Sequence, residues 1–263
     1  RNRRRWPWRP SRAAAEGVVG FKLEGTKITA IELNSETDFV SGNEIFLALF
    51  KKALSVANNA QSTAELLEQK LEDGISIKEH LAETTLTLKE NILFRRLETL
   101  KVGEGVIATY VHNSVFEGAG QIVCAVALES KADKEALKKV GQKICMHIAS
   151  SAPRFLDVSG VPAEVLEKEK EIYREQSKAS GKPEQIIEKM IEGRVKKFYS
   201  ETVLLKQAFI MDSSLAIEDF LAASSKELGA EIKISGFLRM KVGEGVELEK
   251  KDFSEEVKAL SSK

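Results

Sequence analysis

Few side chains in this sequence have the reach for acid, base or nucleophilic chemistry, and they are scattered. The three histidines, His80, His112 and His147, lie far apart along the chain. Cys124 and Cys145 sit among apolar neighbours, with no CxxC spacing and no adjacent histidine pair. They read as buried free thiols rather than as metal ligands or nucleophiles. No serine occupies a GxSxG elbow, and no P-loop or GxGxxG leads into a helix. Gly103-Glu104-Gly105 lacks the lysine and the following helix that phosphate cradling requires, so it reads as a turn. The chain is expected to carry out no covalent chemistry of its own, with no cofactor and no metal.

The stretch that stands out does so by geometry. Thr37-Asp38-Phe39-Val40-Ser41-Gly42-Asn43-Glu44 lies where a strand-like segment ends and a helical one begins. Ser41 and Glu44 have the spacing of a capping box ahead of Ile45, Phe46, Leu47, Leu49 and Phe50, and Val40 with Ile45 has that of a hydrophobic staple. A rigid helix start is expected. Neither device uses Phe39, so the residues leave it as either a core anchor or a wedge for another protein. Asp38 at the same corner is placed to accept hydrogen bonds from backbone amides, those of its own turn or those of a partner.

Glu32-Leu33-Asn34-Ser35-Glu36-Thr37-Asp38-Phe39-Val40 resembles the signature of the elongation factor Ts family, the guanine-nucleotide exchange factors for elongation factor Tu. Other segments resemble the family in the family's order: Ala13-Ala14-Ala15-Glu16-Gly17-Val18-Val19, Asn91-Ile92-Leu93-Phe94-Arg95-Arg96, Met146-His147-Ile148-Ala149, Ser180-Gly181-Lys182-Pro183 and Glu192-Gly193-Arg194-Val195-Lys196-Lys197-Phe198. The resemblance runs from residue 11 to the end. It implies that Thr37, Asp38, Phe39 and Val40 intrude beside the nucleotide's magnesium ion in the GTPase, which makes Phe39 the wedge. It also implies secondary contacts at His147 and Ile122, although the glycine the family has after the latter is Val123 here. From the residues alone, His147 at the edge of a helical stripe is equally a hydrogen-bonded rim histidine. Arg95 and Arg96 read as strand residues bracing acids. Family members begin with a small helical domain, and nothing in this sequence resembles it.

Composition narrows the remaining classes. Forty Lys and Arg balance forty Asp and Glu, so a protein that lives by gripping phosphate backbones is not indicated. No apolar run reaches the roughly 20 residues of a membrane-spanning helix. A cytoplasmic location is expected. Arg1 to Pro10 differ from the rest in composition, with five arginines, no acids, Trp6 and Trp8. They read as a reading-frame artefact, a remnant of an organellar targeting peptide (placing the protein in an organelle matrix), or an RNA-binding arm. The last gives a rival function, an RNA- or ribosome-associated protein.

The elements that must position these residues follow from periodicity. Val18 to Glu24 and Ile28 to Asn34 form a hairpin around Gly25. Helices are expected from Asn43 to Ala57, around Leu66 to Leu71 and from Ile77 to Leu88, followed by a strand from Ile92 to Val102. A second hairpin, Val106 to Val111 with Gln121 to Glu129, precedes a helix from Ala132 to Ser150. A further helix, Leu215 to Leu228, is approached through Asp212-Ser213-Ser214 and ended by Gly229, and a last strand runs from Ile232 to Met240. Lys101-Val102-Gly103-Glu104-Gly105-Val106 recurs unchanged as Lys241 to Val246, each copy after a strand. The fold class is therefore α+β, with two related lobes, each a small antiparallel sheet packed with helices.

The second lobe carries an insert that reads as an antiparallel coiled-coil hairpin, with Ile172, Ile187, Met190 and Ile191 in its seam. The expected divisions are a tail of 1–12, a lobe of 13–104, a second lobe of 105–161 with 200–263, and the insert 162–199. The hairpin's leftover apolar surface invites a partner; the resemblance implies contacts with the GTPase and self-association through this element, and a dimeric scaffold is a further alternative. Asp252 to Leu260 is read as a short terminal helix.

Overall fold

Gly25, at a backbone φ of 58°, closes the two-residue turn between strands β1 (Glu16–Glu24) and β2 (Lys27–Ser35), which pair antiparallel along their whole length. The computed structural model describes residues 13–178 and 183–246. After β2 come a single helical turn, α1 (Asp38–Ser41), and three helices, α2 (Glu44–Val56), α3 (Thr63–Glu68) and α4 (Ile77–Leu88). Strand β3 (Leu93–Lys101) returns to pair antiparallel with β2. The chain then repeats this order with a hairpin of β4 (Gly105–Phe116) and β5 (Ala119–Glu129), then helix α5 (Lys134–Ser151). Helices α6 (Ala163–Lys178) and α7 (Glu184–Thr202) intervene, then a small hairpin of β6 (Ala208–Phe209) and β7 (Asp212–Ala216). Helix α8 (Ile217–Leu228) and strand β8 (Lys233–Lys241) close the second unit, with β8 pairing on β5 as β3 does on β2.

The two three-stranded units are stitched into one hydrogen-bonded sheet by a short contact, Val19 and Gly20 of β1 opposite Gly120 and Ala119 of β5. Their faces are sorted by the two-residue period of strands. Ile31 and Leu33 pack under α2, α3 and α4 with Phe46, Phe50, Leu66 and Ile77. Cys124, Val126 and Leu128 pack under α5 and α8 with Leu137, Ile144, Ile148 and Ile217. The alternate residues, Val19, Ile28, Ala30, Ile107, Val123, Ala125, Ala127, Leu238 and Met240, form a third core where the units meet. Strands β2 and β5 are thus covered on both sides, which is why β5 reads as an unbroken apolar run from Ile122 to Leu128 and why β2 buries Thr29, Glu32 and Asn34 along with its apolar residues.

The expected α+β class and paired lobes are what is observed, with corrections of detail. Ser41 does not cap α2: it ends α1, and its hydroxyl donates to the Asp38 carbonyl at 3.0 Å. The cap is Asn43, whose Oδ1 accepts from Ile45 N–H at 2.8 Å, so the Ser41–Glu44 capping box and its Val40–Ile45 staple are not formed. The competing geometry is the extra helical turn, which moves the helix start by two residues. Asp212-Ser213-Ser214 belongs to β7 rather than leading into α8 directly. Leu71 lies beyond α3 in a turn, where its N–H donates to the Ile75 carbonyl.

In the insert, Ile187 and Ile191 are buried, whereas Ile172, expected beside them in the seam, is about half exposed on α6. The two helices are tied by Arg174 to Glu188 at 3.4 Å and by the Arg194 guanidinium over the Tyr173 ring. Helix α7 continues to Thr202, whose carbonyl accepts from Arg154 and Phe155 N–H. The Arg-rich start, the Ser180-Gly181-Lys182 break and the terminal helix from Asp252 lie outside the described residues.

Helix α5 lies close on its sheet because residue 141 has no side chain. A Cβ there would stand 2.3 Å from the Ala108 Cβ and 3.1 Å from Leu128 Cδ1. Replacing Gly141 with Ala gains about 1 kcal/mol of helix propensity, but overpacking against a strand-borne Cβ that no rotamer can move costs about 1–3 kcal/mol. Gly141→Ala is therefore expected to be net destabilising by about 1 kcal/mol, read as a lower urea midpoint.

Candidate functional site

The corner after β2 is built from polar contacts that cross between two connections. Thr37 donates twice to Glu90, from its N–H to Oε2 at 3.1 Å and from its hydroxyl to Oε1 at 2.6 Å. In return Glu36 Oε1 accepts from the Asn91 N–H at 3.2 Å. Ser35 Oγ donates to the Thr37 carbonyl at 3.0 Å. From this base α1 makes one turn, closed by Ser41 N–H to the Thr37 carbonyl and Gly42 N–H to the Asp38 carbonyl. Val40 turns inward onto the core beneath α2. Phe39 turns outward and is 86% exposed, more than any other large hydrophobic side chain among the described residues. Asp38 beside it is exposed, and its carboxylate accepts no hydrogen bond among the described residues.

A second apolar surface lies on the other lobe. Ile122 on β5, Met146 and Ala149 on α5, and Ile210 and Met211 in the β6–β7 turn surround a shallow depression rimmed by Tyr110 and His112. Ile210 is 47% exposed and Met211 50%. His147 lies in the wall beneath, and it is fully buried rather than at the rim of its helix. Gln207 Nε2 donates to the Ser151 and Glu201 carbonyls, leaving its Oε1 to accept from His147 Nε2–H at 2.9 Å. His147 Nδ1 is then the acceptor for Ile210 N–H at 3.3 Å and for the Ser151 hydroxyl at 3.4 Å. A direct surface contact is thus not open to His147 in this conformation. It is a neutral imidazole that supports the turn presenting Ile210 and Met211.

The model of the family described as elongation factor Ts matches residues 36–244, beginning at the corner itself. The chain belongs to the elongation factor Ts family. It is 42% identical over 250 residues to elongation factor Ts of Rickettsia bellii (strain OSU 85-389), covering 95% of this chain and 81% of that protein. Elongation factor Ts of Brucella ovis is 43% identical over 250 residues, covering 95% and 82%. The chain is accordingly a translation elongation factor of the Ts type.

The strand that carries this elongation factor's corner is held three residues before its corner end by a buried ion cluster. Glu32 on β2 is fully buried, and its carboxylate accepts from Arg95 Nη1 at 3.1 and 3.2 Å, Arg96 Nε at 2.5 Å and Asn34 Nδ2 at 3.0 Å. It also accepts from the Gly243 N–H at 2.7 Å, across the lobe boundary. Arg96 Nη2 reaches the Lys241 carbonyl at 2.7 Å, and Arg95 Nη2 the Glu244 carbonyl. The two copies of the Lys-Val-Gly-Glu-Gly-Val repeat part company here. Gly243 and Gly245 have φ of 69° and 79°, which folds the second copy back onto Glu32, whereas Gly103 and Gly105 avoid positive φ and the first copy runs on into β4.

Neither cysteine is placed for reaction. Burial pushes the Cys124 thiol up to about 12 and Cys145 well above its usual value, and the latter donates to the Ala108 carbonyl. Groups of three or more His, Cys, Asp or Glu placed to hold a metal ion are absent among the described residues. Sequence reasoning missed Glu90, Gln207 and the Ile210-Met211 turn. Glu90 leaves no local signal, because its partner is 53 residues away. Two adjacent large apolar residues just before Asp212 were a signal, hidden by reading the following segment as the start of a helix.

Glu32→Ala removes the acceptor shared by two guanidiniums, the Asn34 side-chain amide and the Gly243 N–H and is expected to destabilise by about 3–5 kcal/mol, measured by urea unfolding. Burial holds the pKa of His147 below the ordinary histidine value, against the opposing bond from Gln207. Its contribution is then fully present above the unfolded histidine value of about 6.5 and is lost as pH falls through that value toward the folded one. The urea midpoint is expected to drop over that window, and to drop less in His147→Gln.

Proposed function

We propose that this factor binds the translation GTPase elongation factor Tu in its GDP form and promotes release of GDP, so that GTP can rebind. The observation that carries the reading is Phe39: an aromatic ring 86% exposed on a turn whose base is bonded from both sides. A ring held outward in this way is suited to insertion between elements of the GTPase that hold the nucleotide's magnesium ion. Asp38 stands beside the ring with its carboxylate available to amides of the partner, while Thr37 and Val40 hold the turn from beneath, the one on Glu90 and the other on the core. Once the metal's ligands shift, the phosphates lose their counter-charge and GDP leaves. The factor is a binding partner and supplies no covalent step.

Magnitudes require more than one contact. Exchange is a coupling between two ligands of the GTPase, and the loss of affinity is mutual. An acceleration of about 10⁴-fold corresponds to about 5.5 kcal/mol, whereas burying one Phe contributes about 1.5–3 kcal/mol. The remainder falls to an anchoring surface, for which Ile122, Ile210 and Met211 on the other lobe are suited, with His147 holding the turn behind them. The helix pair α6–α7, with Ile172 and Ile186 exposed, is a further docking element for the GTPase or a second copy of this chain.

Phe39→Ala is expected to lower the maximal rate of GDP release from elongation factor Tu by about 10- to 100-fold, the equivalent of one buried ring. Stopped-flow release of a fluorescent GDP reads this directly. A variant that binds the GTPase and exchanges at the full rate would show that the ring is not the wedge.

A further inference from the structure

We propose that Glu90 is the positioning residue of the exchange corner, fixing the direction in which Phe39 is presented without itself touching the partner. The inference rests on the reading of Phe39 as the wedge.

Thr37 stands at the N-cap of α1, where a threonine hydroxyl ordinarily accepts from an amide of the first turn. Here that hydroxyl is turned away and donates to Glu90 at 2.6 Å, with the Thr37 amide on the other carboxylate oxygen, so no side chain caps the turn. A charge-assisted pair of this kind replaces a local cap with a bond to a different part of the chain. What delivers Glu90 is the end of α4. Lys89 takes a left-handed conformation at φ 59° with its N–H on the Thr85 carbonyl, a conformation uncommon for a residue other than glycine, and the chain swings back toward the corner. Asn91 then meets Glu36, so the two connections hold each other reciprocally. A four-residue helical turn is far below the length that is stable in isolation. Its orientation is set by this clamp on one side and by Val40 on the other.

A positioning role separates rate from affinity. Removing the clamp lets the turn sample other directions, which weakens the thrust at the metal site while leaving the anchoring surface intact. The variants are Glu90→Ala, Thr37→Val and Phe39→Ala in the full chain. They are compared by GDP release from elongation factor Tu over a range of factor concentrations and by hydrogen exchange of the Ser41 and Gly42 amides in the free factor.

For Glu90→Ala the plateau rate is expected to fall by about tenfold, with the half-saturating concentration changed by no more than about twofold, and the two amides to exchange about tenfold faster. Thr37→Val, which removes one of the two bonds from the other end, moves the same quantities less and keeps the test open should the alanine variant not fold. Phe39→Ala lowers the plateau with the amides as protected as before. A full plateau and unchanged protection in Glu90→Ala, beside a lowered plateau in Phe39→Ala, would overturn the role of Glu90 and leave the wedge standing. A full plateau in Phe39→Ala would remove the wedge, and the role of Glu90 in exchange with it.

Discussion

One buried carboxylate holds the two halves of this molecule in register. Glu32 takes hydrogen bonds from two arginines and an asparagine of its own lobe and from the backbone of the other, at Gly243. An apolar interface such as the one formed by Val19, Ile28, Ala125 and Met240 drives the lobes together, but its free energy is nearly indifferent to small slides. Directional bonds to a charge with no access to water are not indifferent, since losing any one leaves a desolvated group unpaired. The cluster extends outward to Glu98, whose carboxyl is pushed up by burial, and to the Arg239–Glu244 pair at 2.6 Å. Replacing such a cluster with packed hydrocarbon is often neutral for stability, so its contribution is best understood as geometric.

Register matters because the two exposed apolar surfaces sit on different lobes. Phe39 belongs to the first, while Ile122, Ile210 and Met211 belong to the second. A partner that engages both reads the distance between them, and that distance is set where the lobes meet. The duplication explains how this arises from one sequence pattern. Each unit is a hairpin, helices and a closing strand, and each ends in the same six residues. Only the second copy adopts the two left-handed glycines that fold it across the boundary. Identical residues thus serve as a connection once and as a clasp once, and the chain around them decides which.

The periodic parts of the fold were legible. Strand patterning, helical spacing and the Gly25 and Gly229 signals place the first two hairpins, α2, α4, α5, α8 and the closing strands, because each follows from contacts local in sequence, although β4 runs five residues past the expected Val111 to Phe116. What was not legible depends on distant partners or on competition between neighbouring caps. Ser41 and Asn43 are both good capping residues, and the sequence does not reveal that a helical turn ending at Ser41 leaves Asn43 to begin α2. His147 looked peripheral by its place on the α5 stripe, and it is buried by the β6–β7 hairpin, whose two-residue first strand carries no periodicity. Of the corner, residues 37–40 were visible as a unit. That Phe39 points outward and Val40 inward was not, since the residues alone permitted either.

An aromatic ring kept in water would ordinarily be a liability, and its presentation on a bonded turn answers an energetic difficulty. Fixing the backbone of one flexible residue costs about 1–2 kcal/mol, so ordering even two residues of a loose loop on binding consumes about 2–4 kcal/mol. Burying a phenylalanine returns about 1.5–3 kcal/mol. A wedge carried on a mobile loop would therefore deliver almost nothing to the partner. The bonds among Ser35, Glu36, Thr37, Glu90 and Asn91 meet that ordering cost during folding, where it is shared with the packing of β2, α4 and β3. On the proposed reading, the ring's transfer free energy is then left for the complex, and the bonded base of the corner is what would make its exposure useful.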